Sequence, residues 1–209
     1  TAEQKEYAAV KAAAMWCYYN NDPALGAVYG KLYNWYAIRL LQMDIDYYNA
    51  ANPTTPWGWR VPTSVDYLTL SGNLGGMFES GGKLKKEGTS YWNSPNTGAT
   101  NQSSFTSLGL GNRSKTGVFS ELNNIFNTHN IDESYSSIKS DSEALFISGS
   151  DNKVIGMGLR LIKSTSDVND TLHGFEYTPE QNDGIVTLIG NPTHNTNKTI
   201  QSLMRPFEE

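Results

Sequence analysis

The side chains that most often do covalent or metal chemistry are few in this chain and poorly spaced for it. His129, His173 and His194 each lie in an Asn/Thr- or Gly-rich stretch, none at metal-ligand spacing from another. They read as solvated loop residues. The single cysteine, Cys17, cannot form an intrachain disulfide or a thiolate zinc site. It sits between Trp16 and Tyr18 with no basic neighbour in sequence to lower its pKa, so it reads as a small buried hydrophobe. No Gly-x-Ser-x-Gly elbow presents a serine nucleophile. No enzymatic activity is expected. Three acidic turns, NIDES (130–134), SDSE (140–143) and SDNK (150–153), carry oxygens of the kind calcium needs six to eight of. Such residues are also ordinary turn formers. The chain is expected to hold no cofactor, with calcium as the alternative.

What the chain has in quantity is amide, hydroxyl and aromatic groups. Sugar sites combine those types, because a sugar offers apolar C–H faces and a ring of hydroxyls. The segment from Asn123 to Asp141 and the loop Ser150–Lys153 are polar and irregular, as recognition loops tend to be. Candidate ligand-binding residues there are Asn123, Asn124, Tyr135, Asp141, Asp151, Asn152 and Lys153. The stretch WNSPNTGATNQSSF (92–105) has the same vocabulary, bracketed by Trp92 and Phe105.

The bulk properties narrow the partners. The 209 residues hold 16 basic and 21 acidic side chains, with no basic stripe for a phosphate backbone, so nucleic acid is not expected. No apolar run approaches the roughly 20 residues of a membrane span. Only 18% of residues are charged, against about 25% in ordinary domains, and neutral polar residues fill the gap. That composition suits extracellular and virion β-rich domains. The chain opens on Thr without a signal peptide, and is read as a processed segment.

The elements that must position these residues begin with an Ala-rich helix over 1–15. Leu32, Trp35 and Tyr36 have helical spacing, with a strand as the alternative, and MDIDYYNAANPTTPWGWR reads as loop. Thr63 and Asp66 form a capping box for a helix presenting Val65, Leu68 and Leu74, stopped by Gly75 and Gly76. GGKLKKEG, SFTSLGLGNRS and GVFSEL read as short strands. EALFIS (143–148) and KVIGMGLRLIK (153–163) read as a hairpin around GSDN. GIVTLIG (184–190) is a further strand candidate. Helices first and short antiparallel strands later imply an α+β fold.

The order of AMWCYYNNDPALGAVYGKLYNWYA, GWRVPTSVDYLTLSGNLGG, GGKLKKEGTSYWNSPNTGATNQSSFTSLGLGNRS and GMGLRLIKS resembles the Fibrobacter succinogenes major paralogous domain. That family is found in Bacteroidetes and Fibrobacter surface proteins and in phage tail proteins. The resemblance runs from Met15 to Lys163. It implies a C-type-lectin-like fold, with two helices packed on a small twisted antiparallel sheet and long loops. It divides the chain into a helical lead-in (1–14), the domain (15–163) and an extension (164–209), a strand donor or oligomer contact. It implies a receptor- or glycan-recognising adhesin on a virion or bacterial cell surface. The expected partner is a host cell-surface glycan or protein. The alternative is a structural virion module in contact with copies of itself or other virion proteins. Family members often carry a second cysteine where this chain has Leu161, so Cys17 is expected unpaired. The family-like character of 92–105 marks it as scaffold, with Trp92 and Phe105 as anchors and Asn93, Asn96 and Asn101 bonding loop backbone. Trp35, Tyr33, Trp57, Trp59 and Trp92 are expected in the core, and Arg113 and Arg160 as structural arginines.

Overall fold

The computed structural model describes residues 1–54, 56–149, 153–163 and 205–206. Helix α1 (Ala2–Ala13) opens on a capping box, with Thr1 Oγ1 accepting from the Gln4 N–H. Its Val10, and Ala14 just beyond it, pack against α3 (Trp35–Ala51). The buried α3 residues Ile38, Leu41 and Ile45 recur at three- and four-residue spacing, which puts them on one face. Helix α3 begins after Asn34, whose Oδ1 caps the Ala37 N–H, so Leu32 lies outside it in a two-residue strand. It runs to Ala51, through half of the segment expected as loop.

Between the two helices lie β1 (Met15–Cys17), α2 (Pro23–Tyr29) and β2 (Leu32–Tyr33). β1 pairs antiparallel with β2 and, on its other edge, parallel with β10 (Arg205–Pro206). The end of the extension thus returns to the first strand. GIVTLIG, His173 and His194 lie outside the described residues. Cys17 is buried and unpaired as expected, and burial pushes its thiol up to about 12.

Helix α4 (Ser64–Asn73) has the expected capping box. Both Asp66 carboxylate oxygens receive a nitrogen of Arg60, at 2.6 and 2.7 Å, and Oδ2 also takes the Thr63 N–H and hydroxyl. The expected core face is corrected at two of its three residues: Val65 and Leu68 are 63% and 46% exposed, while Tyr67 and Ser71 are buried, with Leu70 and, as expected, Leu74 packed on the Tyr67 cluster. That face is also helical in period, but it is built on a tyrosine and a serine. Burying Tyr67 covers more apolar area than burying Val65. Helix α5 (Met77–Leu84) replaces the strand expected in GGKLKKEG. Its glycines permit this packing, since a Cβ on Gly81 would strike the carbonyl of Ala144.

The largest sheet orders β6 (Ile125–His129), β7 (Ser134–Lys139) and β8 (Leu145–Gly149), all antiparallel. β6 and β7 come from the segment expected to be irregular, and β8 from EALFIS, expected as a strand. Phe126, Ile138 and Leu145 align across it and pack on Tyr67, Leu84 and Trp92. The partner of β8 is β7, not 153–163, so the GSDN hairpin is corrected. Residues 156–158 instead make single bridges to Arg113, Tyr33 and Thr128, and only β9 (Ile162–Lys163) is a strand, paired with β3 (Trp59–Arg60). β4 (Asn112–Arg113) and β5 (Phe119–Ser120) close a small separate ladder. The molecule is thus mixed α+β, with five helices and small, mostly antiparallel sheets among the described residues. No described helix is long and apolar enough to cross a membrane.

His129 is corrected from solvated loop to core. It is fully buried on β6, its Nε2 2.9 Å from the Ile155 carbonyl, and burial lowers its pKa to about 4. Trp35 and Trp92 are buried, and Tyr33, Trp57 and Trp59 half-buried. Arg160 lies over Phe105 at 4.7 Å and donates to the Thr106 carbonyl, and Arg113 lies 5.7 Å from the Phe119 ring.

Two carboxylates anchor α4: Asp66 from within, and Asp132, which takes the N–H and hydroxyl of Ser64 at 2.9 and 2.6 Å. The Arg60 hydrogen bonds hold Asp66 well below the usual carboxylate range; for Asp132 the hydrogen bonds together outweigh burial and lower its pKa. Groups with depressed folded pKa values stabilise the fold above their unfolded value, near 4, and lose that contribution as pH falls through the folded value. Thermal midpoints should therefore drop steeply below about pH 4. Asp66→Asn should melt lower at pH 7 yet show a shallower acid slope, and an unchanged slope would contradict the assignment.

Candidate functional site

The stretch 92–105 is tied down at many points. Trp92 is fully buried with Nε1 donating to the Ser107 carbonyl, and Phe105 meets Phe126 edge to face. Asn96 takes a left-handed φ of 46° and its Nδ2 donates to the carbonyls of Lys86 and Gly88. Asn101 Oδ1 accepts the Thr106 N–H. The scaffold expectation holds for these residues. Asn93 differs, because its side chain leaves the loop for a distant amide: Nδ2 donates to Asn124 Oδ1 at 2.8 Å.

That contact is the centre of a cluster drawn from four parts of the chain. The Asn93 N–H donates to the Asn123 carbonyl and the Asn123 N–H to the Gly109 carbonyl, both at 2.6 Å. A Cβ on Gly109 would lie 2.6 Å from Asn123 Cα, so only glycine allows the approach. Asn123 has a φ of 61°, a conformation asparagine tolerates better than most residues. From α2, the Tyr29 hydroxyl donates to Asn123 Oδ1 at 2.6 Å, and the Tyr29 ring meets Tyr91 edge-on at 6.0 Å. Lys86 Nζ lies 4.3 Å from the Tyr91 ring centre. From the β7–β8 turn, the Ser140 N–H donates to the Asn124 carbonyl at 2.8 Å, and the Ser140 carbonyl accepts from Thr97. Asp141 follows, exposed.

The candidate residues thus fall at opposite ends of one sheet. Asn123, Asn124 and Asp141 flank the start of β6 and the end of β7. Tyr135 lies at the other end of β7, opposite His129 and Ser148. Lys153 is also at that end, ion-paired to Glu133 at 2.7 Å with its Nζ 4.4 Å from the Trp35 ring. Asp151 and Asn152 lie outside the described residues. The first group forms the cluster, joined by Tyr29, Tyr91, Asn93 and Ser140, which sequence reasoning missed as site residues. No local signal marks them, since they gather only through folding.

The cluster is neutral apart from its rim. It offers amides, hydroxyls and phenols, which hydrogen-bond and stack. Burial raises the Tyr29 hydroxyl's pKa. Among the described residues, no three His, Cys, Asp or Glu side chains gather as a metal site. In NIDES, Asp132 is taken up by Ser64 and Ser134. In SDSE, the carbonyls of Ser140 and Ser142 face inward to Lys85.

Residues 1–163 match the model of the Fibrobacter succinogenes major domain, Fib_succ_major. The chain belongs to that family. The match takes in helix α1 along with everything up to β9. None of the curated proteins and none of the solved structures matches this family member's chain.

Asn96→Ala removes two part-buried hydrogen bonds, to the Lys86 and Gly88 carbonyls, and puts alanine at a left-handed position. It should destabilise the protein by about 2 kcal/mol in urea unfolding, with ligand binding by the folded fraction unchanged. Intact folding with lost binding would instead return Asn96 to the site.

Proposed function

We propose that this is a non-enzymatic binding domain displayed on a virion or a bacterial cell surface, recognising a host cell-surface glycan through the Asn93–Asn124 cluster. We read its α+β arrangement as a branch of the C-type-lectin-like fold, with helices on a small twisted antiparallel sheet and long loops carrying recognition. Family membership, the low charge and the neutral polar surface support surface display.

The observation that carries the reading is the amide pair itself. Two amides joined by one hydrogen bond leave one carbonyl and one NH2 with capacity, whichever way the amides are oriented. As placed, these are Asn93 Oδ1 and Asn124 Nδ2. A sugar hydroxyl can donate to the first while its neighbour accepts from the second. A site built to hydrogen-bond hydroxyls discriminates strongly, because a ligand lacking them leaves polar groups unpaired. The remaining cluster bonds are internal, so the pair is held before ligand arrives and ordering costs little on binding. The return of Arg205–Pro206 to β1 of the same chain fits an extension that completes its own domain.

A panel of immobilised neutral and acidic glycans should yield binding to a neutral member. Asn124→Asp keeps the acceptor for Asn93 Nδ2 and replaces the free donor, so it should weaken that binding about tenfold with an unchanged thermal midpoint. No binding to any glycan, together with a tight oligomer in solution, would move the reading to a structural virion module.

A further inference from the structure

Lys85 ends α5, and its position is fixed on the main chain, where Ser107 N–H donates to the Leu84 carbonyl and Lys86 N–H to that of Ser107. Its side chain is fully buried beside Trp92, with Nζ 5.5 Å from that ring centre. No carboxylate pairs with it among the described residues. Nζ instead donates to three carbonyls of one turn, those of Lys139 and Ser142 at 2.9 Å and of Ser140 at 3.4 Å. Burial lowers its pKa to about 8, with Glu143 and Asp141 acting the other way, so it carries its charge at pH 7.

Carbonyl oxygens converging on one point repel each other unless a cation sits there. Proteins commonly meet that need with a bound metal ion held by main-chain oxygens. Here the ammonium's three N–H groups match three acceptors in number. The same turn reaches the candidate site, through Ser140 N–H to the Asn124 carbonyl and Thr97 N–H to the Ser140 carbonyl.

We propose that the Lys85 ammonium is the resident cation of the β7–β8 turn, gathering its carbonyls as a bound metal would and so positioning Asn124 without any divalent ion. Its effect on ligand rests on the proposed glycan reading, and its effect on the turn does not. Lys85 is a positioning residue, not one that touches ligand.

Three measurements test it. Lys85→Met keeps the length and removes the charge. It should lower the thermal midpoint, speed amide exchange at Asp141, Ser142 and Asn124, and weaken glycan binding about tenfold. Lys85→Ala should regain its midpoint saturably with n-propylammonium, but not with n-propanol, which has the shape without the charge; equal rescue by both would leave packing as the cause and overturn the proposal. Wild-type protein, which needs no variant to fold, should show the same midpoint in EDTA and in calcium. A midpoint lowered by EDTA and restored by calcium, or Lys85→Met exchanging like wild type at the turn, overturns it too. Absence of glycan binding with intact propylammonium rescue would sink the glycan reading alone.

Discussion

A buried main-chain carbonyl or N–H without a partner costs about 1–3 kcal/mol, and outside its regular elements this molecule meets that constraint with main-chain turns reinforced by side chains. Its ladders leave much to be met this way, since most described strands are two or three residues long. Asn34 shows the solution in one residue. Fully buried, it accepts the Met15 and Ala37 N–H groups on Oδ1 and donates to the Ala13 carbonyl from Nδ2. One amide thus fixes the end of α1, the start of β1 and the start of α3. Trp92 and Asn96 do the same for the long connection between α5 and β4, and Lys85 for the β7–β8 turn.

That strategy explains the composition. Satisfying irregular backbone needs short side chains carrying both donors and acceptors, which favours Asn, Ser and Thr over charged residues. A loop bonded this way is scaffold, not slack. The loop 86–111 crosses the molecule with few ladder contacts, yet its Ser107 and Asn96 are as buried as core residues.

Legibility of the sequence followed from which level of structure set each feature. The Thr63–Asp66 capping box was readable because its geometry is local, and α1 was readable from alanine content. The α4 face was misread because valine and leucine outrank tyrosine and serine as core residues, whereas Tyr67 and Ser71 are the ones facing α5 and the sheet. The β6–β7 hairpin was misread for a related reason. IFNTH and SYSSIK are buried over consecutive residues rather than alternately, and Asn, Thr, His and Ser fill most of those buried positions, so neither strand carries an apolar period. His129 went with them. The hairpin expected around GSDN failed because β8 pairs with β7, whereas 153–163 is held by scattered bridges to three different elements.

The candidate site was half legible for a deeper reason. Asn123, Asn124 and Asp141 were singled out for polarity, but polarity alone could not separate them from Tyr135 and Lys153 at the far end of the sheet. What separates them is tertiary. Lys153 is committed to Glu133 and Trp35, while Asn124 shares one bond with an asparagine 31 positions away and keeps capacity beyond it. In a protein where amides mostly satisfy backbone, an amide that pairs with another amide near the surface stands apart. Its geometry is set by the same turn that Lys85 holds from below. Scaffold and proposed site therefore use one chemistry, but Asn96 keeps its spare Oδ1 buried, whereas the capacity left on the Asn93–Asn124 pair lies near the surface.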